Sequence, residues 1–180
     1  TMSNYKVLDY PFLYASARFS FDIERLQEES NDLFENLCPE SNQICLTHTK
    51  NAVGNLWEEG VGSALGAGKF INTKDFTELN EALKGTYIEE VYKTLYEKYP
   101  FGRMRLMKLT GKTCMSLHSD LEKRMHIPIL TNENCLMIVD DEVIHMPADG
   151  NAYLVNTKKR HTALNSNLNF DRIHLLFDLI

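Results

Sequence analysis

The chain has 180 residues, of which 43% are hydrophobic and 24% charged, and its formal net charge is -6 at pH 7. This composition is that of a globular chain that can build a core without disulfides or structural metals, and the acidic balance with no long Lys/Arg run argues against nucleic acid as a partner. No segment reaches the length of a membrane span and residues 1–6 have no apolar signal core, so we expect no membrane association and a cytoplasmic location.

The first hundred residues predict mixed structure. A helix begins near Phe21-Asp22, has apolar residues at helical spacing on one face, and stops at Pro39. Residues 43–49 alternate like a half-buried strand. Residues 73–99 read as a second helical region that Gly85 divides into two helices.

A glycine-rich stretch separates the strand from this second helical region. Residues 60–68 contain four glycines among small side chains. A Walker-type phosphate loop requires Ser or Thr after Gly-Lys, whereas here Phe70 follows Gly68-Lys69. We therefore interpret the stretch as a mobile loop or lid. The four cysteines lie far apart without a CxxC pair, which favours reduced thiols over a zinc or redox motif.

From residue 103 the pattern changes to short apolar or alternating runs separated by turn residues. Many short strands at this spacing predict an antiparallel sandwich or barrel. Helices followed by strands indicate an α+β fold in which helices buttress a β-sandwich. We expect one domain over residues 1–180, with a mixed buttress over about 1–102 and the β core over about 103–180. The predicted strands cover residues 104–109, 115–117, 125–130, 135–139, 143–146, 152–155 and 173–179.

Four polar residues in the β-rich half form a chemically suggestive series. His118 and Asp120, two apart on an extended segment, are predicted to project from one face, where they offer a nitrogen and an oxygen to a metal. His161 from a distant segment completes a facial triad that leaves coordination positions open, as non-haem Fe(II) requires. Arg172, at the start of the last predicted strand, is suited to gripping a dicarboxylate through two hydrogen bonds.

These motifs resemble those of the aspartyl/asparaginyl β-hydroxylase family and its bacterial relatives, the cis-type proline hydroxylases. The resemblance covers roughly residues 103–180. The matching segments are His118-Ser119-Asp120, Arg124-Met125-His126-Ile127-Pro128-Ile129, Gly150 to Asn156, His161 to Asn165 and Arg172 to Asp178.

The resemblance implies a double-stranded β-helix (jelly-roll, cupin-like) core, a dioxygenase using Fe(II), 2-oxoglutarate and O₂, and hydroxylation of an amino-acid-like substrate. By the same resemblance His118, Asp120 and His161 hold the iron, Arg172 binds the distal carboxylate of 2-oxoglutarate, and Arg124 and His126 line the co-substrate pocket. The animal β-hydroxylases lack the carboxylate ligand, so Asp120 brings this chain nearer to the proline hydroxylases.

His174 shares a strand face with Arg172, and Asn165 follows His161. We therefore expect both to form hydrogen bonds that hold the residues of the site in position.

Two other functions are compatible with the same residues. A cupin-like metalloenzyme that does not use 2-oxoglutarate has no need of Arg172 at the metal pocket, so the role of that residue separates the two enzymes. A non-catalytic jelly-roll binding module, whose histidines are structural, binds no Fe(II). The substrate itself stays open between a free amino acid and a residue of a peptide or protein, as does the oligomeric state.

Overall fold

The computed structural model describes residues 14–63 and 70–180, so the N-terminal start and residues 64–68 of the glycine-rich loop lie outside the described residues. In the described ranges there are two α-helices, α1 (Ile23–Leu37) and α2 (Tyr87–Tyr96), and the rest of the regular structure is mostly β. The strands are β1 (Tyr14–Ala17), β2 (Gln43–Cys45), β3 (Thr47–His48), β4 (Glu78–Leu79), β5 (Phe101–Leu109), β6 (Thr113–Cys114), β7 (Arg124–Leu130), β8 (Cys135–Val139), β9 (Glu142–Ile144), β10 (Ala152–Val155), β11 (His161–Asn165) and β12 (Arg172–Leu179).

The strands form antiparallel sheets. A six-stranded sheet has the order β1-β10-β7-β12-β5-β2, and a four-stranded sheet has the order β6-β11-β8-β9. The short strands β3 and β4 pair separately. The two strands β1 and β2, which precede residue 103, close the two edges of the large sheet.

One face of the large sheet is apolar. Because side chains alternate across a strand, residues 173, 175, 177 and 179 of β12 lie on the same face, and all four belong to the main core cluster. The neighbouring strands supply Leu106 and Ile127 to the same cluster. Helices α1 and α2 contribute Leu26 and Ile88 to it, so the helices lie against this outer face of the sheet.

The opposite, inner face of the large sheet is polar. The alternate positions of β12 are Arg172, His174, Leu176 and Asp178, and every residue of this strand is buried. The inner face points toward the four-stranded sheet, because residues from both sheets line one cavity. The site described below lies in this space between the sheets.

The two helices are capped by their own flanking residues. The Asp22 carboxylate accepts a hydrogen bond from the Arg25 amide at the start of α1, and Thr86 does the same for Glu89 in α2. Glu29 of α1 also accepts hydrogen bonds from the amides of Tyr87 and Ile88, at 2.7 and 2.9 Å. A carboxylate at a helix N-terminus is favourable because of the exposed N–H groups and the helix dipole, so α1 holds the start of α2.

The prediction of a helix over residues 73–84 was wrong. This segment contains short 3-10 helices at Thr73–Asp75 and Glu81–Leu83, with β4 between them. Asn72 and Asn80 interrupt a longer helix because their side chains bond to the amides two residues on, which favours a turn. The division at Gly85 was correct, since this glycine has a left-handed φ of 82°.

One prediction about the β-rich half also needs correction. Residues 115–117 are not a strand: β6 ends at Cys114, and His118 makes only an isolated bridge to His161. His161 is the first residue of β11. The apolar run at Ala152–Val155 is a strand as predicted. Within the described ranges, no helix has the length and apolar character needed to cross a membrane.

Candidate metal centre and its cavity

Three side chains with metal-ligating atoms converge between the two sheets. One ligand atom from each of His118, Asp120 and His161 can be chosen so that all lie within 4.8 Å of one another. The backbone brings the histidines together, since the His118 amide donates to the His161 carbonyl at 3.1 Å and the His161 amide donates to the His118 carbonyl at 2.8 Å. Asp120 lies on the following loop, where its amide donates to the Thr157 carbonyl at 2.8 Å.

Both histidine rings are oriented by backbone carbonyls. His118 Nδ1 lies 2.6 Å from the Ser116 carbonyl, and His161 Nδ1 lies 2.9 Å from the Lys159 carbonyl. A carbonyl only accepts, so each Nδ1 carries a proton and Nε2 is the ring atom left to bind a metal. The Nε2 atoms lie 3.8 and 3.2 Å from the two Asp120 carboxylate oxygens. Such outer hydrogen bonds are how proteins fix the metal-binding tautomer of histidine.

The surroundings of Asp120 favour the ionised form of its carboxylate. Its Oδ2 lies 2.7 Å from Arg124 Nη1 in an ion pair, although the angles do not make this a good hydrogen bond. Burial raises the pKa of the Asp120 carboxyl, but contact with His161 and the charge of Arg124 outweigh burial, so its pKa lies below the ordinary value. A carboxylate whose ionised form is favoured, beside two imidazoles, is a suitable donor set for a divalent transition metal.

A cavity of about 390 Å³, including its open mouth, adjoins the three side chains. It is lined by Met107, Met115, His118, Arg124, His126, Met137, His161, Ala163, Arg172 and Leu176. The lining is thus apolar on several sides, with histidine and arginine side chains at defined points, as is typical of a small-molecule site.

Arg172 is a buried cation with no carboxylate partner among the described residues. The residue is 6% exposed, and no hydrogen bond satisfies its Nε. Burial lowers the pKa of the Arg172 guanidinium to about 10, so the group remains charged at neutral pH. Leaving a charged guanidinium dehydrated and unpaired is unfavourable, which indicates that an anion completes this position.

A pair of buried histidines lies beside Arg172. His126 Nδ1 and His174 Nδ1 are 3.2 Å apart, so one ring donates and the other accepts. Neither Nε2 has a hydrogen-bond partner. Burial, with the nearby charge of Arg172, holds the pKa of both rings well below the ordinary value, so both are neutral at physiological pH.

Arg124 links the candidate metal centre to a second polar cluster. Besides Asp120, it pairs through Nε with Asp178 Oδ1 at 3.0 Å. Asp178 also binds Arg103 Nε at 2.7 Å and lies 3.6 Å from Arg105 Nη2. Burial raises the pKa of the Asp178 carboxyl, but the charges of Arg124, Arg105 and Arg103 lower it to about 2. Asp178, a buried and ionised carboxylate, therefore holds Arg124 in place, and Arg124 in turn positions Asp120.

Five of the residues predicted for the site lie at the cavity, but the sequence analysis did not include the arginines that pair with Asp178. His118, His161, Arg124, His126 and Arg172 all line the cavity. Asn165 does not line it, since its side-chain amide donates to the carbonyls of Leu109 and Phe170 and holds the turn before β12.

The missed residues were Arg103, Arg105 and Asp178. The signal for the first two was present, because two arginines at alternate positions of an apolar strand point to one face.

The fold and this donor set define a class: a jelly-roll protein with a candidate His-Asp-His metal site. The family model of the aspartyl/asparaginyl β-hydroxylases matches residues 22–180. The chain belongs to the aspartyl/asparaginyl β-hydroxylase family. It accordingly belongs to a family of hydroxylases, which are enzymes.

Solved structures share the fold at low identity. HygX from Streptomyces hygroscopicus, solved with nickel and 2-oxoglutarate bound, matches with a TM-score of 0.58 and 9% identity over 98% of this chain and 85% of that chain. The viral collagen prolyl hydroxylase vCPH from Paramecium Bursaria Chlorella virus-1, in a 2OG complex, matches with a TM-score of 0.54 and 11% identity over 96% and 97%. These likenesses establish the fold alone.

A further match is to an oxidoreductase of the 2OG-Fe(II) oxygenase family from Burkholderia pseudomallei. It has a TM-score of 0.39 and 14% identity, and it covers 54% of this chain and 53% of that chain. The chain thus spans about half of that protein, and the match carries no argument. Among curated proteins, no significant match was found.

Proposed function

We propose that this chain is an Fe(II)- and 2-oxoglutarate-dependent dioxygenase that hydroxylates an unactivated C–H bond of an amino acid, either free or within a peptide or protein. The observation that carries the proposal is one cavity lined by two of three convergent metal-ligating side chains, His118 and His161, and at another point by an unpaired buried guanidinium. A metal site alone fits many enzymes, whereas a metal site with a separate buried cation fits a bidentate dicarboxylate co-substrate.

The residues present fit Fe(II). His118 and His161 present free Nε2 atoms, and Asp120 presents a carboxylate whose ionised form is favoured. When bound, Fe(II) with O₂ and 2-oxoglutarate supplies the oxidation that converts C–H to C–OH and yields succinate and CO₂. A facial set of three protein ligands leaves room for both co-substrates.

Arg172 is the residue we assign to the distal carboxylate of 2-oxoglutarate. It lies at the start of β12 on the inner face and lines the same cavity as the metal-ligating residues. The neutral His126 and His174 beside it offer ring nitrogens that have no hydrogen-bond partner among the described residues. These groups orient a dianionic ligand without adding further charge to a dehydrated site.

The remaining lining keeps water out and fixes geometry. Met107, Met115 and Met137 give the cavity apolar walls. Arg124, tied to Asp178, holds the Asp120 carboxylate in place. Ligands held by buried supporting contacts keep the reacting groups in a defined arrangement, which is the main contribution of a protein to this type of chemistry.

We further propose that residues 1–180 act as one catalytic domain. The main core cluster contains Leu26 and Ile88 from the N-terminal part and Ile127 and Leu175 from the β-rich half. A shared core of this kind supports a single folding unit. The substrate we propose is a small amino acid or a peptide, with no nucleic-acid partner.

The test is a titration of the protein with Fe(II) and 2-oxoglutarate without oxygen, followed by visible absorption spectroscopy. We expect a weak metal-to-ligand charge-transfer band. The band should be absent in His118→Ala and much weaker in Arg172→Ala. Arg160→Ala is the control, because Arg160 is exposed and precedes His161 directly. That control should retain the band.

The outcomes separate the proposal from its alternatives. A folded protein that binds iron but shows no band would move the assignment to a cupin-like metalloenzyme that does not use 2-oxoglutarate. A folded protein that binds no iron would overturn both. With the band established, succinate formation in the presence of candidate amino acids and peptides identifies the substrate.

A further inference from the structure

An open cleft adjoins the two loops that lead to and from the metal-ligating side chains. One part of its wall is formed by residues 121–123, which directly follow Asp120. Another part is Lys158, which precedes His161 by three positions. Consecutive Cα atoms are about 3.8 Å apart, so the wall begins at the Cα next to that of a metal-ligating residue. Including its open mouth, the cleft has a volume of about 720 Å³ and is larger than the cavity between the sheets.

Hydrogen bonds between the same loops fix the walls of this cleft. The Asp120 amide donates to the Thr157 carbonyl at 2.8 Å, and the Thr157 hydroxyl donates to the Glu122 carbonyl at 2.7 Å. At the neighbouring edge of the large sheet, the Leu179 amide donates to the Lys123 carbonyl at 2.9 Å. Thr157 is fully buried, so its contacts are shielded from water. The cleft therefore has a defined position relative to Asp120.

Lys74 joins this cleft to a second one of about 710 Å³. It lies in the 3-10 turn Thr73–Asp75 and lines both clefts. This turn approaches β5 so closely that a Cβ at position 102 would collide with the Thr73 carbonyl, which requires the glycine found there. The second cleft continues to Lys50. The two clefts form one groove that leads away from the metal-ligand loops, and we call it the lysine groove.

The lysine groove has an excess of positive charge, although the net charge of the chain is -6. Its charged lining residues are the lysines Lys50, Lys74, Lys123 and Lys158 and the carboxylates Asp75 and Glu122. Lys50, Lys74 and Lys158 are exposed, and none of them forms an ion pair with another described residue. In contrast, Lys93 and Lys159 elsewhere on the surface do pair with carboxylates. The groove thus offers cations that an acidic ligand can pair with.

The lining of the lysine groove fits a polypeptide better than a nucleic acid or a free amino acid. Glu122 and Asp75 repel a phosphate backbone, whereas they accept hydrogen bonds from the N–H groups of an extended peptide. Leu121 is 42% exposed and offers an apolar contact among the lysines. Sites for whole small molecules measure about 300–1,000 Å³, so a single amino acid would cover only part of a groove made of two such clefts.

We propose that the lysine groove binds an acidic segment of the polypeptide that the metal centre hydroxylates. The inference rests on the proposed function, because it takes this polypeptide to be the substrate. Acidic side chains of the segment pair with Lys74 and Lys158. Because the groove begins at the residue after Asp120, the residue to be hydroxylated follows at the end of the segment that lies toward the metal-ligating side chains.

The test uses pairs of peptides that differ only in the charge of their flanks. Each peptide has about ten residues, roughly 33 Å when extended, is capped at both ends and has one varied central residue. The flanks are Glu and Ala in one member of a pair and Gln and Ala in the other. The measurement is the dissociation constant from the Fe(II)- and 2-oxoglutarate-loaded protein without oxygen, by fluorescence anisotropy.

We expect the Glu-flanked member to bind about tenfold more tightly, as a few exposed charge pairs would provide, and added salt to reduce this preference. With oxygen, at least one Glu-flanked peptide should support succinate formation, with a KM about tenfold below that of its Gln-flanked partner and a similar kcat. Equal dissociation constants within every pair would overturn the proposal. A free amino acid that is a better substrate than the Glu-flanked peptide containing it would overturn it as well.

Variants locate the effect on the surface. Lys74→Gln combined with Lys158→Gln should abolish the preference for Glu flanks and keep the charge-transfer band, because neither lysine lines the cavity. The matched control is Lys84→Gln combined with Lys112→Gln, which removes the same charge from two exposed lysines outside the groove. Equal losses in the two double variants would reveal a general effect of net charge and contradict the assignment to the groove.

Failure of this inference is distinguishable from failure of the proposed function. A protein that forms the charge-transfer band but shows no preference for Glu flanks would overturn the role of the lysine groove and leave the oxygenase proposal intact. A protein that forms no band would overturn the oxygenase proposal and, with it, the assignment of the substrate. A single-stranded oligonucleotide that binds more tightly than every Glu-flanked peptide would overturn the choice of a polypeptide partner.

Discussion

The two faces of the six-stranded sheet are equally buried but differ in how completely their groups are satisfied. On β12, Phe177 and Leu175 of the outer face are fully buried and pack within the main apolar cluster. On the same strand Arg172 and His174 of the inner face are also buried, yet each has a nitrogen without a hydrogen-bond partner. Successive side chains of this one strand therefore alternate between the apolar outer face and the polar inner face.

This difference separates stability from function within one sheet. Apolar burial on the outer face stabilises the fold, because transfer of apolar surface from water is favourable without specific partners. Polar groups dehydrated without partners on the inner face are unfavourable in the empty protein. Such groups persist where a ligand completes them, so the unsatisfied atoms of the inner face mark the ligand site.

The largest effect is expected from a cavity in the outer face. Phe177→Ala removes a fully buried ring that contacts Phe101 edge-on at a centroid distance of 4.8 Å. We expect the free energy of unfolding to fall by about 4 kcal/mol, as for other buried Phe→Ala changes. Chemical denaturation measures this. Val143→Ala, at a residue that is 64% exposed, should change it by less than about 0.5 kcal/mol.

A nearly equal effect is expected at Asp178, the buried carboxylate of the inner face that pairs with the arginines. Asp178→Asn leaves Arg103 without its charged partner and Arg124 with Asp120 alone, and we expect a loss of about 3 kcal/mol in the free energy of unfolding. A much smaller loss would mean that the inner face does not depend on this ion cluster and that the contrast between the faces is weaker than proposed.

The same carboxylate predicts a specific pH dependence. The pKa of Asp178 is about 2 in the folded chain and about 3.9 in an unfolded one, so the stabilisation is present above about pH 4 and is lost as the pH falls toward about 2. We expect this acid-sensitive part to be about 2 kcal/mol in the unmodified chain and to be missing in Asp178→Asn. Denaturation curves at several pH values between about 2 and 5 measure the difference.

The sequence predicted the outer face better than the inner one. A continuous apolar run identifies β10, and apolar residues at alternate positions identify β12, because the burial of a strand is visible in its local sequence. Likewise, the order His118, Asp120, His161 and Arg172 predicted a metal site with a separate anion site, and the structure brings His118, His161 and Arg172 to one cavity. Strands and short motifs can be read from the local sequence because each lies within a few consecutive residues.

What the sequence did not predict depends on partners that are distant along the chain. Arg103 and Asp178 are 75 positions apart, and neither has a neighbour in sequence that indicates the pairing. The helix predicted over residues 73–84 failed for a related reason: Leu79 pairs with Thr47 in a small separate sheet, a tertiary contact that overrides helical spacing. The periodicity of a segment does not determine with which distant segment it pairs, or in which register.

A more gradual effect, which builds up as the pH falls, is expected from the buried histidines. His126 and His174 have pKa values well below the ordinary one in the folded chain, whereas both take up protons below about pH 6.5 when unfolded. The unfolded state thus binds more protons, so stability falls as the pH drops below about 6.5, by up to about 1.4 kcal/mol per pH unit for each ring. His174→Gln should remove one ring's share of this slope, and an unchanged slope would show that His174 is protonated in the folded chain.

The smallest effect has the opposite sign and tests the comparison most directly. Arg172→Met replaces an unpaired buried guanidinium with an apolar side chain of similar length. Without ligand we expect the variant to be more stable by about 1 kcal/mol, because the cost of dehydrating a charge is removed. Arg160→Met, at an exposed position, is the control and should change stability by less than about 0.5 kcal/mol.

Addition of 2-oxoglutarate with a divalent metal should reverse this order. A ligand at 100 times its dissociation constant stabilises the folded state by about 2.7 kcal/mol, and only the unmodified chain has the guanidinium that binds the distal carboxylate. The two denaturation curves should therefore cross between the ligand-free and ligand-bound conditions. If Arg172→Met were instead less stable without ligand, Arg172 would be a structural residue of the inner face, and the unsatisfied groups there would not mark a binding site.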